Sequence, residues 1–307
     1  MTSLDAAFRS LFEINMAIRA GERVLVFSDI IRPEEALSEG DRDRRVRLNK
    51  TARDVADFAD STWGNSSFVE FPATSASGTE PPRELWLATF GGQTVATLDV
   101  AGLLAKLLAK TATPDEISRA REIVLAQKGD VAAVIIAMSN NSTSHTRYRA
   151  LANDAGSRFA SLPHFDPAMF HTSMAVDWSA LADRTARIVE AINRAEWVQV
   201  TTPNGTDMRI CKQGRNAGGD DGLLNTAGSF GNLPAGEAYF APLEGAESRQ
   251  HGDRMGTDPP TGSAAASDGR KGCRDSYRGQ RSPAPEAGRA VCRKCQLPQS
   301  GRTGHWH

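Results

Sequence analysis

Residues 131–138 read VAAVIIAM, the clearest buried strand in the chain. An unbroken apolar run of strand length suits a strand covered on both faces, as in a parallel sheet. Working outward, RVLVFSD at 23–29 is a second short buried strand, with an acidic residue at its C-terminal end. SFVEFP at 67–72 is strand-like, and TVATLDV at 94–100 reads as another short strand. Helical patterns lie between them. Leu4, Phe8, Leu11, Phe12 and Ile18 share most of one helical face, and Gly21 is placed to end that helix. Residues 43–60 are charged with spaced Val46, Val55 and Phe58, which suits a surface helix. VAGLLAKLLAK at 100–110 and TPDEISRAREIVLAQ at 113–127 are helices, the second opened by the cap-like Thr113-Pro114-Asp115-Glu116. Apolar strands alternating with helices predict a doubly wound α/β domain over residues 1–190.

The pattern then changes. Residues 181–194 are helical, and WVQVTTPNGTDMRICKQG at 197–214 reads as a hairpin turning at Pro203-Asn204-Gly205. A loop rich in Gly and Asp follows, and then GNLPAGEAYFAPLEG at 231–245. These features predict the start of a second, α+β domain over residues 191–247. No internal repeat of solenoid or propeller period is present.

A net charge of −1 and 40% hydrophobic residues in 307 give no electrostatic reason to expect nucleic acid or an acidic membrane as partner. The N-terminus carries charges within its apolar run and lacks the basic start and cleavage site of a signal peptide. No apolar run is long enough to span a bilayer. Four cysteines, three of them near the C-terminus, do not form a secreted disulfide framework. A cytoplasmic protein is expected.

Within GNLPAGEAYFAP, Glu237 is a lone carboxylate shaped by Pro234 and Gly236 and followed by the short apolar run Ala238, Tyr239 and Phe240. Such a turn can aim a carboxylate into a cleft, although a Glu beside a turn is commonly a solvated surface residue. The longer stretch is more specific. VTTPNGTDMRICKQGR, then DDG, then GSFGNLPAGEAYFAP resembles, in order and spacing, the entry to the catalytic domain of the aminopeptidase T family of metallo-aminopeptidases. That match spans residues 198–245. SNNSTSHTRYRALANDAGSRFASLP at 139–163 is similar to the family's N-terminal domain, less distinctively.

The resemblance implies a hydrolase that removes N-terminal residues from peptides with two divalent metal ions, and a homodimer. Glu237 would be the first metal-ligating carboxylate. Two metals suit this reaction because they can hold the free amine, acidify a water and stabilise the tetrahedral oxyanion. Oxygen and imidazole ligands fit zinc, manganese or cobalt equally. The family's second Glu, two His and an Asp all lie downstream of the Glu237 position, and there this chain departs from the pattern.

From about Ser248 the composition shifts to Arg, Gly, Ser and Pro, with Val291 and Leu297 as the only branched aliphatic residues. Such a segment cannot bury enough apolar surface to offset its ordering entropy, so residues 248–307 are expected to be a disordered tail. A reading-frame shift accounts for it. Codons compatible with residues 249–254, read one nucleotide later, can encode GSMVIG. Those for 255–272 can encode WEPIRRLDQPLRLTVEKG, and those for 301–307 can encode AELGIG. The last resembles the family's second metal-Glu motif, Ala-Glu-Leu-Gly-Ile-Gly-Thr, and the three occur in the right order. In the written frame one carboxylate cannot hold a metal pair, so the metals are not expected to be retained and the written chain is expected to be inactive.

Other constellations carry less. Cys292-x-x-Cys295 with Cys273 and His305 or His307 is half of a structural zinc pattern at irregular spacing. It supports an alternative in which a non-catalytic α/β binding protein uses a basic, zinc-holding tail. After Gly245 there are eleven Lys and Arg against six Asp and Glu, without interleaved aromatic residues. His164, Asp166 and His171 could ligate a metal, but a loop histidine between prolines is more often structural. SHTR at 144–147 opens a helix with Ser144 as its expected cap, and its helix end with Arg147 offers an unsupported anion site. No GxGxxG follows RVLVFSD, and Gly91-Gly92 and the glycines at 218–222 are turn chemistry.

Overall fold

The structure, a computed structural model, describes residues 4–203 and 205–243. The expected tail of residues 248–307, with its cysteines and histidines, lies outside the described residues, as does Asn204 of the hairpin turn. The chain divides into two compact units. One comprises residues up to Ala186 together with Asp220–Glu237, and the other comprises Arg187–Gly219 with the residues from Ala238 onward.

The first unit is built on a five-stranded sheet. Strands β1 (Val24–Ile30), β2 (Ser66–Pro72), β3 (Val134–Ala137) and β4 (Arg158–Ser161) are joined by β8 (Phe230–Asn232) in the order β2-β1-β3-β4-β8. Every neighbouring pair is parallel. Side chains along a strand alternate between faces, so each strand feeds two cores. Val24 and Val26 of β1, Val134 and Ile136 of β3, and Ala160 of β4 pack on one face. Leu25 and Phe27, Ile135 and Ala137, and Phe159 pack on the other. Helix α2 (Glu39–Trp63) covers the first face with Leu48, Ala52, Val55 and Ala59, while α3 (Arg83–Val100) covers the second with Leu85, Trp86, Phe90 and Val95. All of these are buried, and full burial of each large apolar side chain stabilises by roughly 1.5–3 kcal/mol. The expected doubly wound α/β architecture is present.

Several local expectations need correction. Residues 94–100 are not a strand but the second half of α3. The expected helix over 100–110 is interrupted by a turn at Ala101-Gly102 before the short α4 (Leu104–Leu108). Gly91 breaks α3 with φ 81°, and a Cβ there would sit 3.2 Å from the Asp130 side chain. The first helix, α1 (Leu4–Ser10), continues as a π turn over Leu11–Asn15 and stops short of Ile18. Asn15 is held by tertiary bonds: its side chain donates to the Gly222 carbonyl and its own carbonyl accepts from Leu224 N–H. Helix α5 (Pro114–Ala126) opens with the full capping box of Thr113 and Glu116. Helix α6 (Arg147–Asp154) is capped by Thr146, whose side chain accepts from Arg149 N–H, and not by Ser144.

Helix α7 (Trp178–Asn193) follows. The second unit holds the expected hairpin, an antiparallel pair of β5 (Trp197–Thr201) and β6 (Asp207–Cys211). Short strands β7 (Gly218–Asp220) and β9 (Glu237–Tyr239) pair with each other. The sequence places residues 220–237 with the later domain, whereas β8 completes the sheet of the first unit. No helix among the described residues is long and apolar enough to cross a membrane.

Candidate functional site

The segment that ends on Glu237 is held by backbone bonds. Asp221-Gly222 is pinned to Asn15, and Gly222, at φ 79°, lies so close to Trp178 that a Cβ would sit 2.4 Å from its ring. Beyond β8, Leu233 N–H donates to the Ser161 carbonyl, and the Leu233–Pro234 peptide is cis. Gly236, at φ 118°, donates its N–H to the Asp220 carbonyl at 2.8 Å. The next residue, Glu237, opens β9 and is exposed. Its carboxylate makes no hydrogen bond or ion pair with the described residues.

Asp220 lies beside it. Its carboxylate accepts from Asn232 N–H at 2.9 Å, and Gly231 leaves it room, since a Cβ there would fall 2.6 Å from Asp220 Oδ1. Burial pushes the Asp220 carboxyl up, and the charges of Glu237 and Asp221 push the same way against the Asn232 N–H. Among the described residues no group of three or more His, Cys, Asp or Glu side chains is placed to share a metal ion. The described residues therefore do not by themselves fit a two-metal centre; what they supply at this place is the Glu237 carboxylate.

The other sequence candidates are scattered. Asp166 caps the 3-10 turn Pro167–His171 through Ala168 N–H and meets Arg47 at 3.3 Å, so its charge is spent locally. His164 sits at φ 52°, its N–H on the Asn140 carbonyl, and His171 ends the 3-10 turn. Ser144 is buried and bonds to Ser142 and Ser161.

A second polar cluster lies at the carboxyl ends of β1 and β3, where the strand order reverses and α/β sheets usually bind ligands. Asp29 is 3% exposed and accepts from Asn140 and Asn141 N–H at 2.9 and 3.3 Å. Arg45, also 3% exposed, donates to Glu35 and lies 4.0 Å from Asp29. Burial pushes the Asp29 carboxyl up despite those donors, while the Arg45 hydrogen bond holds Glu35 below the usual carboxylate range. In sequence the cluster showed only as the acidic end of RVLVFSD. Its partners come from α2 and from the loop after β3, and no local pattern connects them.

No protein-family model matches the chain, and no curated protein does. Two solved structures share a distant likeness. One is 2,5-dihydroxypyridine dioxygenase from Pseudomonas putida KT2440, at 14% identity and a TM-score of 0.48 over 80% of this chain and 58% of that one. The other is wild-type AmpT from Thermus thermophilus, at 13% identity and a TM-score of 0.44 over 80% of this chain and 63% of that one. This chain thus matches 58–63% of the length of those two structures. At these identities and TM-scores neither likeness identifies a family or a reaction.

Proposed function

We propose that this chain carries the front part of a metal-dependent aminopeptidase and that Glu237 is its first metal-ligating carboxylate. The observation that supports this reading most is the ordered motif of residues 198–245, in which the one residue matched to a metal ligand, at the start of a strand, makes no hydrogen bond or ion pair with the described residues. The buried carboxylates Asp29 and Glu80 are consumed by backbone N–H groups and are unsuited to the role. The remaining ligands belong to the shifted frame downstream of Ser248. The substrate is a peptide with a free N-terminus.

Two proteins test this: the chain as written, and the chain with the reading frame corrected between the codons for Glu244 and Met255. The corrected protein is expected to hydrolyse leucine amide with zinc, cobalt or manganese, and Glu237→Ala is expected to abolish that hydrolysis. Genomic sequence with no open frame for Ala-Glu-Leu-Gly-Ile-Gly-Thr, or a folded corrected protein inert with all three metals, would sink the reading.

A further inference from the structure

Away from Glu237, the first unit contains a cavity of about 430 Å³ between α4, α5 and the head of α6. Its apolar wall is formed by Leu107, Ile117 and Ala150. The same lining includes four basic residues, Lys110, His145, Arg147 and Arg149. The one acidic residue in the lining, Glu80, is 6% exposed and already committed. Its carboxylate accepts from Arg147 and Tyr148 N–H at 2.6 and 3.1 Å and so closes the positive end of α6 from within. The helix end is thereby satisfied, and what recognises a ligand in this cavity must be the side chains.

The charges of Lys110 and Arg147 act on Glu80 from a distance. Among the described residues neither Lys110 nor Arg147 forms an ion pair or a side-chain hydrogen bond. Lys110 and His145 rise from one rim: the point a Cβ on Gly78 would occupy is 4.0 Å from Lys110 Nζ and 3.9 Å from His145 Cβ. Arg149 is held in place, with Nε on the Ser144 carbonyl at 2.8 Å, Nη1 on Asn153 at 3.2 Å and Cζ 4.4 Å from the centroid of the Phe230 ring. Its Nη2 makes no hydrogen bond to the described residues. Two guanidinium groups and an ammonium beside one apolar wall match a phosphoryl group, which takes forked donors, attached to a small apolar body. The volume falls within the range of small-molecule sites.

We propose that this cavity binds an organic phosphate, its phosphoryl group held by Lys110, Arg147 and Arg149 and its apolar body lying against Leu107, Ile117 and Ala150. The proposal is independent of the peptidase reading and concerns only the first unit.

Titration calorimetry of the full chain with phenyl phosphate tests it, with inorganic phosphate and benzyl alcohol as comparisons. Saturable binding of phenyl phosphate at about millimolar strength or tighter is expected, at least tenfold tighter than either comparison. Arg147→Ala and Lys110→Ala each change an exposed side chain, and each is expected to weaken binding by about tenfold with the circular dichroism spectrum unchanged. Binding should also weaken as salt screens the charges. Absence of saturable phenyl phosphate binding overturns the proposal, and so does binding that both variants leave unchanged. Inorganic phosphate binding as tightly would remove the apolar wall from the site, and benzyl alcohol binding as tightly would remove the cations; either result refutes the organic phosphate.

Discussion

Asp29 and Glu237 are both carboxylates at strand ends, and their surroundings are opposite. Asp29 sits at the carboxyl end of β1, 3% exposed, with two backbone N–H donors on its oxygens and Arg45 nearby. Glu237 stands at the beginning of β9, exposed and without a hydrogen bond to the described residues. A parallel sheet buried on both faces leaves its polar groups at the strand ends no water, so they must find partners inside the protein. A three-residue strand after a glycine turn has no such demand. The first arrangement holds the fold together, and the second leaves a charge without a partner among the described residues.

The largest expected effect separates the two at once. Arg45→Ala leaves Asp29 facing no cation and Glu35 with only its Arg32 donors, in addition to removing the buried stem of the arginine. Breaking a buried charge pair from one side typically costs about 3–5 kcal/mol. Urea denaturation at neutral pH should show a loss of that order. Glu237→Ala should move the midpoint by no more than about 0.5 kcal/mol. A large loss from Glu237→Ala, or a negligible one from Arg45→Ala, would reverse the assignment of structural and available carboxylates.

Gly222→Ala should fall between these extremes. Gly222 has φ 79° and no space for a methyl group, which would lie 2.4 Å from the Trp178 ring and 3.2 Å from the Ala235 Cβ. Overpacking of this kind costs about 1–3 kcal/mol, with left-handed strain added. The Gly222 carbonyl also anchors the segment to Asn15, so the same change sharpens the contrast. If the turn before Glu237 depends on that anchor, the amide resonances of residues 231–237 should shift together in the variant, while those of β1 and β3 stay in place.

The two regions also differ in how far they could be read without coordinates. Strands β1 and β3 are visible because an apolar run of strand length has few other uses. Residues 94–100 misled because TVATLDV is rich in β-branched residues. In the fold Thr94, Val95 and Leu98 are buried at helical spacing against the second core, and packing there overrides the local preference. Strands β4 and β8, with the sequences RFAS and FGN, are too short to alternate and are strands only because β3 and β4 offer free edges. Ser144 and Thr146 are equally good caps on paper, and the competing bond from Ser144 to Ser161 selects Thr146. Glu237 could be singled out by the order of the motif around it, and its exposure accords with its place beside a turn. Glu80 was not legible at all, because its partners on α6 lie 67 and 68 residues away.

The smallest expected effect concerns pH. Burial raises the Asp29 carboxyl above its ordinary value of 3.8, so the folded chain holds this proton more tightly than the unfolded chain does. Between the unfolded and folded values the native state therefore carries more bound proton, and the Asp29 contribution to stability falls as pH rises through that window. Asp29→Asn cannot titrate and lacks one acceptor for the Asn140 and Asn141 N–H groups, so it should be less stable at every pH. Its deficit relative to the parent should be greatest near pH 4 and should narrow as pH rises, by about 1.4 kcal/mol per unit of the shift. Paired denaturation curves from pH 4 to 8 measure this difference directly. A deficit that instead widens with rising pH would mean that Arg45 and the two N–H donors outweigh burial. Asp29 would then be a carboxylate stabilised by its charge, as Glu35 is.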